Sequence, residues 1–280
     1  KLISTLRFVS SVFFLALPFQ AKKTTSNPAA SAFLLWNQEK PVPTSAEAPL
    51  FKNVRFTMIK KHEPQVDGYD WQHGVAIAFH KGVLYAAWGA NKGEENSPGE
   101  VVLVRTSRDD GRTWSQVRML AAGDSDRAAS HGAFLSYHGT LWAFVCRFRG
   151  MRKDIQMEVY RLDEKKNQWV SGSIVDGGFW PLATPIRMND GNWIMAGAIL
   201  NGENPGAVAI SHGNNFLKWD IVTIPKPPNM TMWGETAVIV NGKQVTAITR
   251  YGAKALALGA LSNDYGRTWF PVFDKESSGS

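Results

Sequence analysis

Four glycines set the frame of this chain. Gly82, Gly139, Gly191 and Gly242 each stand in a short polar break between two apolar runs, and they lie 57, 52 and 51 residues apart. The segments read Ile77–Trp88 (IAFHKGVLYAAW), Phe134–Val145 (FLSYHGTLWAFV), Pro185–Ala198 (PIRMNDGNWIMAGA) and Ala237–Ile248 (AVIVNGKQVTAI). A Lys-Gly, His-Gly, Asp-Gly or Asn-Gly pair between apolar runs is hairpin chemistry, because glycine accepts the positive φ that tight hairpin turns require. A hairpin repeated about every 50 residues predicts a β-propeller with one four-stranded sheet per repeat. No sustained amphipathic helical period follows residue 50, so the fold is expected to be all-β.

Composition agrees and excludes other classes. With 280 residues, 44 % hydrophobic and 20 % charged, the chain is neither disordered nor collagen-like and is long enough for a sizeable core. Eleven Trp and 25 Gly suit many short strands and tight turns. A single cysteine, Cys146, removes any internal disulfide and any Cys-rich zinc site. The six His form no HExxH or His-x-His pair, so no metal site and no cofactor are expected. The net charge of +7 does not point to nucleic acid: Lys1, Arg7, Lys22 and Lys23 supply four of the seven, and the other basic residues form no dense block.

The N-terminus carries its own signal. Lys1 and Arg7 precede an apolar run from Phe8 to Phe19, which is export-signal anatomy; a membrane span needs about 20 apolar residues. Residues 1–21 are therefore expected to be a signal peptide, 22–48 a Ser/Thr/Pro/Ala-rich linker, and 49–280 the propeller domain. The protein is expected to be exported, with no membrane span in the mature chain. A sequence that opens on Lys1 also reads as a fragment.

Two octapeptides sharpen the fold. Ser107–Trp114 (SRDDGRTW) and Ser262–Trp269 (SNDYGRTW) share S-x-D-x-G-R-T-W, each after an apolar strand. An Asp in such a turn accepts hydrogen bonds from the backbone N–H groups just after it, Gly takes the strained position, and Trp packs between sheets. The motif staples a hairpin and does no chemistry. Ser211–Trp219 and Leu162–Trp169 look like eroded copies. These octapeptides are Asp boxes, and over about residues 66–272 the chain resembles the sialidase-like β-propellers, or BNR-repeat proteins. The resemblance implies six blades, of which four repeats and part of a fifth are legible, so that either the chain is truncated or its propeller is smaller.

The resemblance also implies a chemistry: an exported glycoside hydrolase that removes a terminal sialic acid or similar acidic sugar from a glycan. Such enzymes use three arginines to hold the sugar carboxylate, an Asp as acid/base, and a Tyr nucleophile activated by a Glu. Carried over, Glu235 in Trp233-Gly234-Glu235-Thr236 is the base, and Arg250, 15 residues on at the far side of one hairpin, is a carboxylate clamp. Trp233 and Tyr251 beside them are expected to line the pocket. At the first arginine's place this chain has Gln72 or His73, and the acid/base loop offers Glu94, Glu95 and Glu100, of which Glu95 is chosen. Lys92 is a possible substitute for a supporting arginine. The third arginine and the Tyr fall to later blades. Arg147, Arg149 and Arg152 are candidates for a basic rim, and Trp71, His131 and Trp180 recur at blade starts. The alternatives are a non-catalytic carbohydrate-binding propeller and a related glycosidase or lyase acting on another anionic sugar.

Overall fold

Each glycine-centred repeat becomes one antiparallel sheet. The computed structural model describes residues 39–41, 44–47, 52–228, 230–252 and 257–272. All of these belong to the unit Ala32–Ser280; the expected signal peptide and most of the expected linker lie outside the described residues. Blade one comprises β1 (Trp71–His80), β2 (Val83–Asn91), β3 (Val101–Ser107) and β4 (Arg118–Ala121), hydrogen-bonded in chain order. Blade two repeats the order with β5 (Ala128–Tyr137), β6 (Thr140–Arg149), β7 (Lys153–Asp163) and β8 (Gln168–Val175). In blade three the first strand is split into β9 (Phe179–Pro181) and β10 (Ile186–Arg187), both paired to β11 (Trp193–Ile199), which β12 (Gly206–His212) and β13 (Asn215–Thr223) follow. Blade four has β14 (Met232–Asn241), β15 (Gln244–Tyr251), β16 (Ala257–Ser262) and β17 (Phe270–Val272). Among the described residues the only α-helix is the single turn α1 (Pro64–Asp67), and there are four sheets without a fifth.

The turns behave as their residues dictate. Lys81 and Gly82 both have positive φ (48° and 76°) between the paired His80 and Val83, as do His138 and Gly139 (45° and 73°) between Tyr137 and Thr140. That is the type I′ backbone, whose twist matches the strands it joins. In the Asp boxes, Asp109 Oδ1 accepts from the Thr113 N–H at 2.9 Å and Oδ2 from the Thr113 hydroxyl at 2.6 Å, while Ser107 Oγ accepts from the Gly111 N–H at 2.9 Å. Asp264, Thr268, Ser262 and Gly266 repeat the pattern at 2.8, 2.6 and 2.8 Å. The eroded copies occupy the same third-to-fourth-strand turns, and Trp219 Nε1 donates to Phe216 O as Trp269 Nε1 does to Gly266 O.

The core lies between the sheets. Val104, Phe134, Leu141 and Val145 join blades one and two. Phe144, Met157, Phe179, Met195 and Phe216 join blades two and three, and Ile194, Val208, Val245 and Trp269 join three and four. Each fully buried side chain of this size contributes roughly 1.5–3 kcal/mol, so the inter-blade seams dominate the fold's stability. On β1, strand alternation puts Val75, Ile77 and Phe79 on one exposed face.

Strand parity separates two ends of every blade. A strand that starts at one end finishes at the other. The glycine hairpins and Asp boxes therefore share one end, while the first-strand starts and the loops between second and third strands share the opposite one.

Candidate functional site

At that opposite end, three first strands break register. β1 shifts between His73 and Ala76, β5 between Ser130 and Gly132, and β14 between Met232 and Thr236. A bulge interrupts the in–out alternation and re-aims the side chains beside it. His73, His131, Trp233 and Glu235 stand at these breaks, and all four line one cavity of about 620 Å³. Glu95 from the β2–β3 loop, Arg152 from the β6–β7 loop, Asn204 from the β11–β12 loop and Arg250 near the end of β15 complete its polar wall. Trp180, Leu182 and Leu200 supply apolar surface. A second recess of similar volume adjoins it across Arg152, Leu200 and Asn204.

Blade four contributes a charged pair on an aromatic platform. Arg250 Nη1 donates to Glu235 Oε1 at 2.8 Å, and the guanidinium carbon lies 3.8 Å from the centre of the half-exposed Trp233 ring. Both partners are substantially exposed, so the pair adds little to stability. The stacking holds the guanidinium plane in one orientation. Among the described residues Glu235 Oε2 makes no hydrogen bond.

Blades one and two contribute a cluster of imidazoles and carboxylates. His73 Nδ1 faces Glu95 Oε1 at 3.1 Å and its Nε2 faces Glu100 Oε1 at 3.3 Å. Glu100 is 0 % exposed; its Oε1 also accepts from the Ser130 hydroxyl, and Oε2 has no partner. The His131 ring packs edge-on against His73 at 4.5 Å between centroids, and Ser130 Oγ lies 3.1 Å from its Nδ1. Burial, with His73 beside it, pushes the His131 imidazole down to about 3, so the ring is neutral. Gly74 makes this contact possible: it has φ +67°, and a Cβ there would sit 2.0 Å from the His131 ring. Trp180, stacked on Phe148, donates Nε1 to the His131 carbonyl at 3.2 Å.

The structure thus gathers Glu235, Arg250, Trp233, His73 and Glu95 into one cavity. It does not bring Gln72 or Tyr251 there: neither lines it, Gln72 Nε2 is buried without a hydrogen bond, and Tyr251 pairs through its backbone with Met232. Glu94, Lys92 and the exposed Trp71 are also outside the lining. Of the three arginines expected as a rim, Arg147 is buried against Asp124 and Glu158, and Arg149 is held by Asp126 and Asp154. Only Arg152 reaches the cavity, and among the described residues its side chain makes no ion pair or hydrogen bond. What spacing along the chain did not show is that His73 and His131, 58 positions apart, lie together beside Glu100. Their equivalent places in successive repeats, Gln72-His73-Gly74 and Ser130-His131-Gly132, were the signal for it.

Blades of four antiparallel strands around a shared cavity, stapled by Asp boxes, define a sialidase-type propeller. The BNR repeat-like domain family matches residues 82–276, and the chain belongs to that family. Among solved structures it is similar to the Hadza microbial sialidase Hz136 (17 % identity, TM-score 0.59), over 75 % of this chain and 48 % of that one. Trypanosoma rangeli sialidase in complex with the inhibitor DANA matches at 16 % identity and TM-score 0.57, over 71 % of this chain and 37 % of that one. Zg3597, a family 117 glycoside hydrolase of the marine bacterium Zobellia galactanivorans, matches at 14 % identity and TM-score 0.51, over 72 % and 69 %. These likenesses establish the fold, and the chain spans less than half the length of the two sialidases. No curated protein matches the sequence. No helix among the described residues is long and apolar enough to cross a membrane.

Proposed function

We propose that this chain carries the site of a sialidase-like glycoside hydrolase that removes a terminal sialic acid or a similar acidic sugar from a glycan. The observation that carries the reading is the convergence of His73 and Glu95 with Glu235 and Arg250, from opposite ends of the described chain, on one cavity. An acidic sugar brings a carboxylate, which a guanidinium fork pairs with best. Arg250 is oriented for that task by Trp233, and Arg152 presents donors that bind no group among the described residues. Glu95 acts as acid/base on the glycosidic oxygen, with His73 fixing its carboxyl through the 3.1 Å contact. Glu235, held by Arg250, takes the proton of the attacking group. The adjoining recess beyond Arg152 gives the rest of the glycan room. The N-terminal pattern of Lys1, Arg7 and Phe8–Phe19 supports export, which sequencing the N-terminus of the mature protein tests.

The test uses a fluorogenic sialoside with the full chain and the Glu235→Gln variant, together with calorimetric titration of free sialic acid. The expected result is turnover by the unaltered chain, a loss of roughly 10²–10⁴-fold in Glu235→Gln, and retained sugar binding by the variant. Turnover that survives the substitution sinks the role given to Glu235. Sugar binding by the unaltered chain without any turnover makes the protein a carbohydrate-binding propeller instead.

A further inference from the structure

The carboxylate of Glu100 poses an electrostatic problem that the glycosidase reading leaves untouched. It is wholly buried, its Oε2 has no hydrogen-bond partner, and its one ion-pair partner among the described residues is His73. His73 already faces a second carboxylate, Glu95, through its other nitrogen. One imidazole is thus shared between two carboxylates, at 3.1 Å and 3.3 Å, and Glu100 Oε2 is left without a partner among the described residues. A buried carboxylate in that position needs a positive partner.

The neighbouring atoms have the composition of a metal site. One nitrogen from His73, one from His131 and one carboxylate oxygen from Glu100 lie within 4.8 Å of one another. We propose that His73, His131 and Glu100 bind a single divalent transition-metal cation, of the zinc class, in the wall of the cavity. Two imidazoles and a carboxylate with a fourth position open is a ligand set that suits Zn²⁺. The surroundings complete it. Glu95 on His73 Nδ1 is the outer carboxylate that orients a ligating imidazole, and the Ser130 hydroxyl does the same for Glu100. Two backbone approaches hold the ligands close: a Cβ at Gly74 would strike the His131 ring, and one at Gly89 would stand 2.6 Å from Glu100 Oε1. His73 and His131 both line the cavity, which gives the site a route from solvent. In the glycosidase reading, on which this last step rests, the cation stands where the resemblance places an arginine and takes an oxygen of the sugar carboxylate.

Metal alone tests the site. The full chain, stripped with a chelator and dialysed, is titrated with ZnCl₂ by calorimetry, and a parallel Co²⁺ titration is followed by visible absorption. One equivalent is expected to bind, with Co²⁺ giving the bands of a low-symmetry nitrogen–oxygen site. His131→Ala and Glu100→Gln are expected to abolish saturable binding, Glu95→Gln to weaken it about 10–100-fold, and His212→Ala, at a surface His–Asp pair, to leave it unchanged. His73→Gln, on the cavity wall, replaces Glu100→Gln where the buried substitution prevents folding. A folded chain that binds no stoichiometric metal, or that binds it equally well without His73 and His131, overturns the proposal. No sugar enters these measurements, so a failed glycosidase assay and a failed metal site are separate results.

Discussion

Alanine at Gly74 and at Gly82 makes a matched pair that tests whether the His131 ring is wedged against the β1 backbone. Both glycines have left-handed backbones, with φ of +67° and +76°. Each substitution therefore carries the same conformational cost, about 1–2 kcal/mol. Their surroundings differ. A Cβ at Gly82 meets nothing within 4 Å, whereas at Gly74 it lies 2.0 Å from His131 Cγ, well inside the 3.4–4 Å of ordinary contact. The ring must retreat by about 1.5 Å, against Trp180 and β5, and overpacking of this kind costs about 1–3 kcal/mol more. At about 2–4 °C per kcal/mol for a domain of this size, Gly74→Ala should melt roughly 2–12 °C below Gly82→Ala. Urea unfolding followed by Trp fluorescence gives the same comparison, read from midpoints at equal slope. Equal destabilisation of the two variants would refute the close packing of His131 on β1, and the geometry of the imidazole cluster with it.

Four further outcomes are expected. Phe144→Ala, at a fully buried position between blades two and three, should cost about 3–5 kcal/mol in urea unfolding. In the first Asp box the Thr113 hydroxyl and N–H, then the Ser107 hydroxyl, hold the Asp109 carboxyl at about 2 against an ordinary 3.8. A carboxyl more acidic when folded stabilises above 3.8 and loses that contribution as pH falls towards 2, so Asp109→Asn should flatten the urea midpoint over that window. Cys146 is fully buried, which raises its thiol pKa well above the ordinary value, so an aromatic disulfide reagent should label it only after denaturant is added. Arg152→Ala should weaken binding of a sugar acid at least several-fold while moving the melting temperature by no more than a surface change does, within about 0.5 kcal/mol.

What was legible in the sequence followed from distance along the chain. Glycine spacing marked the blades and S-x-D-x-G-R-T-W marked the boxes because both are local turn chemistry. Glu235 and Arg250 were singled out by the resemblance, and their meeting follows from local geometry: they flank one hairpin, so parity returns them to the same end. The first strand of blade three was not, since Pro181 and Pro185 interrupt it and split β9 from β10. Arg147 and Arg149 looked like a basic rim, but the carboxylates that neutralise them, Asp124 and Asp126 from the β4–β5 loop and Asp154 at the start of β7, are not visible as partners in the sequence. The meeting of His73 with His131 required knowing that β1 packs beside β5, which no spacing rule for metal ligands encodes.

The division of labour between the two ends of each blade explains how such a fold keeps its framework while its chemistry varies. Hairpin glycines and Asp boxes do their work where strands one and two, and three and four, turn back, and none of them lines the cavity. Most of the polar cavity residues, His73, His131, Glu235, Glu95, Arg152 and Asn204, sit on bulged strand starts and on loops after the second strand, where the backbone is already irregular. A blade can therefore change the residues at this end without loss of its sheet.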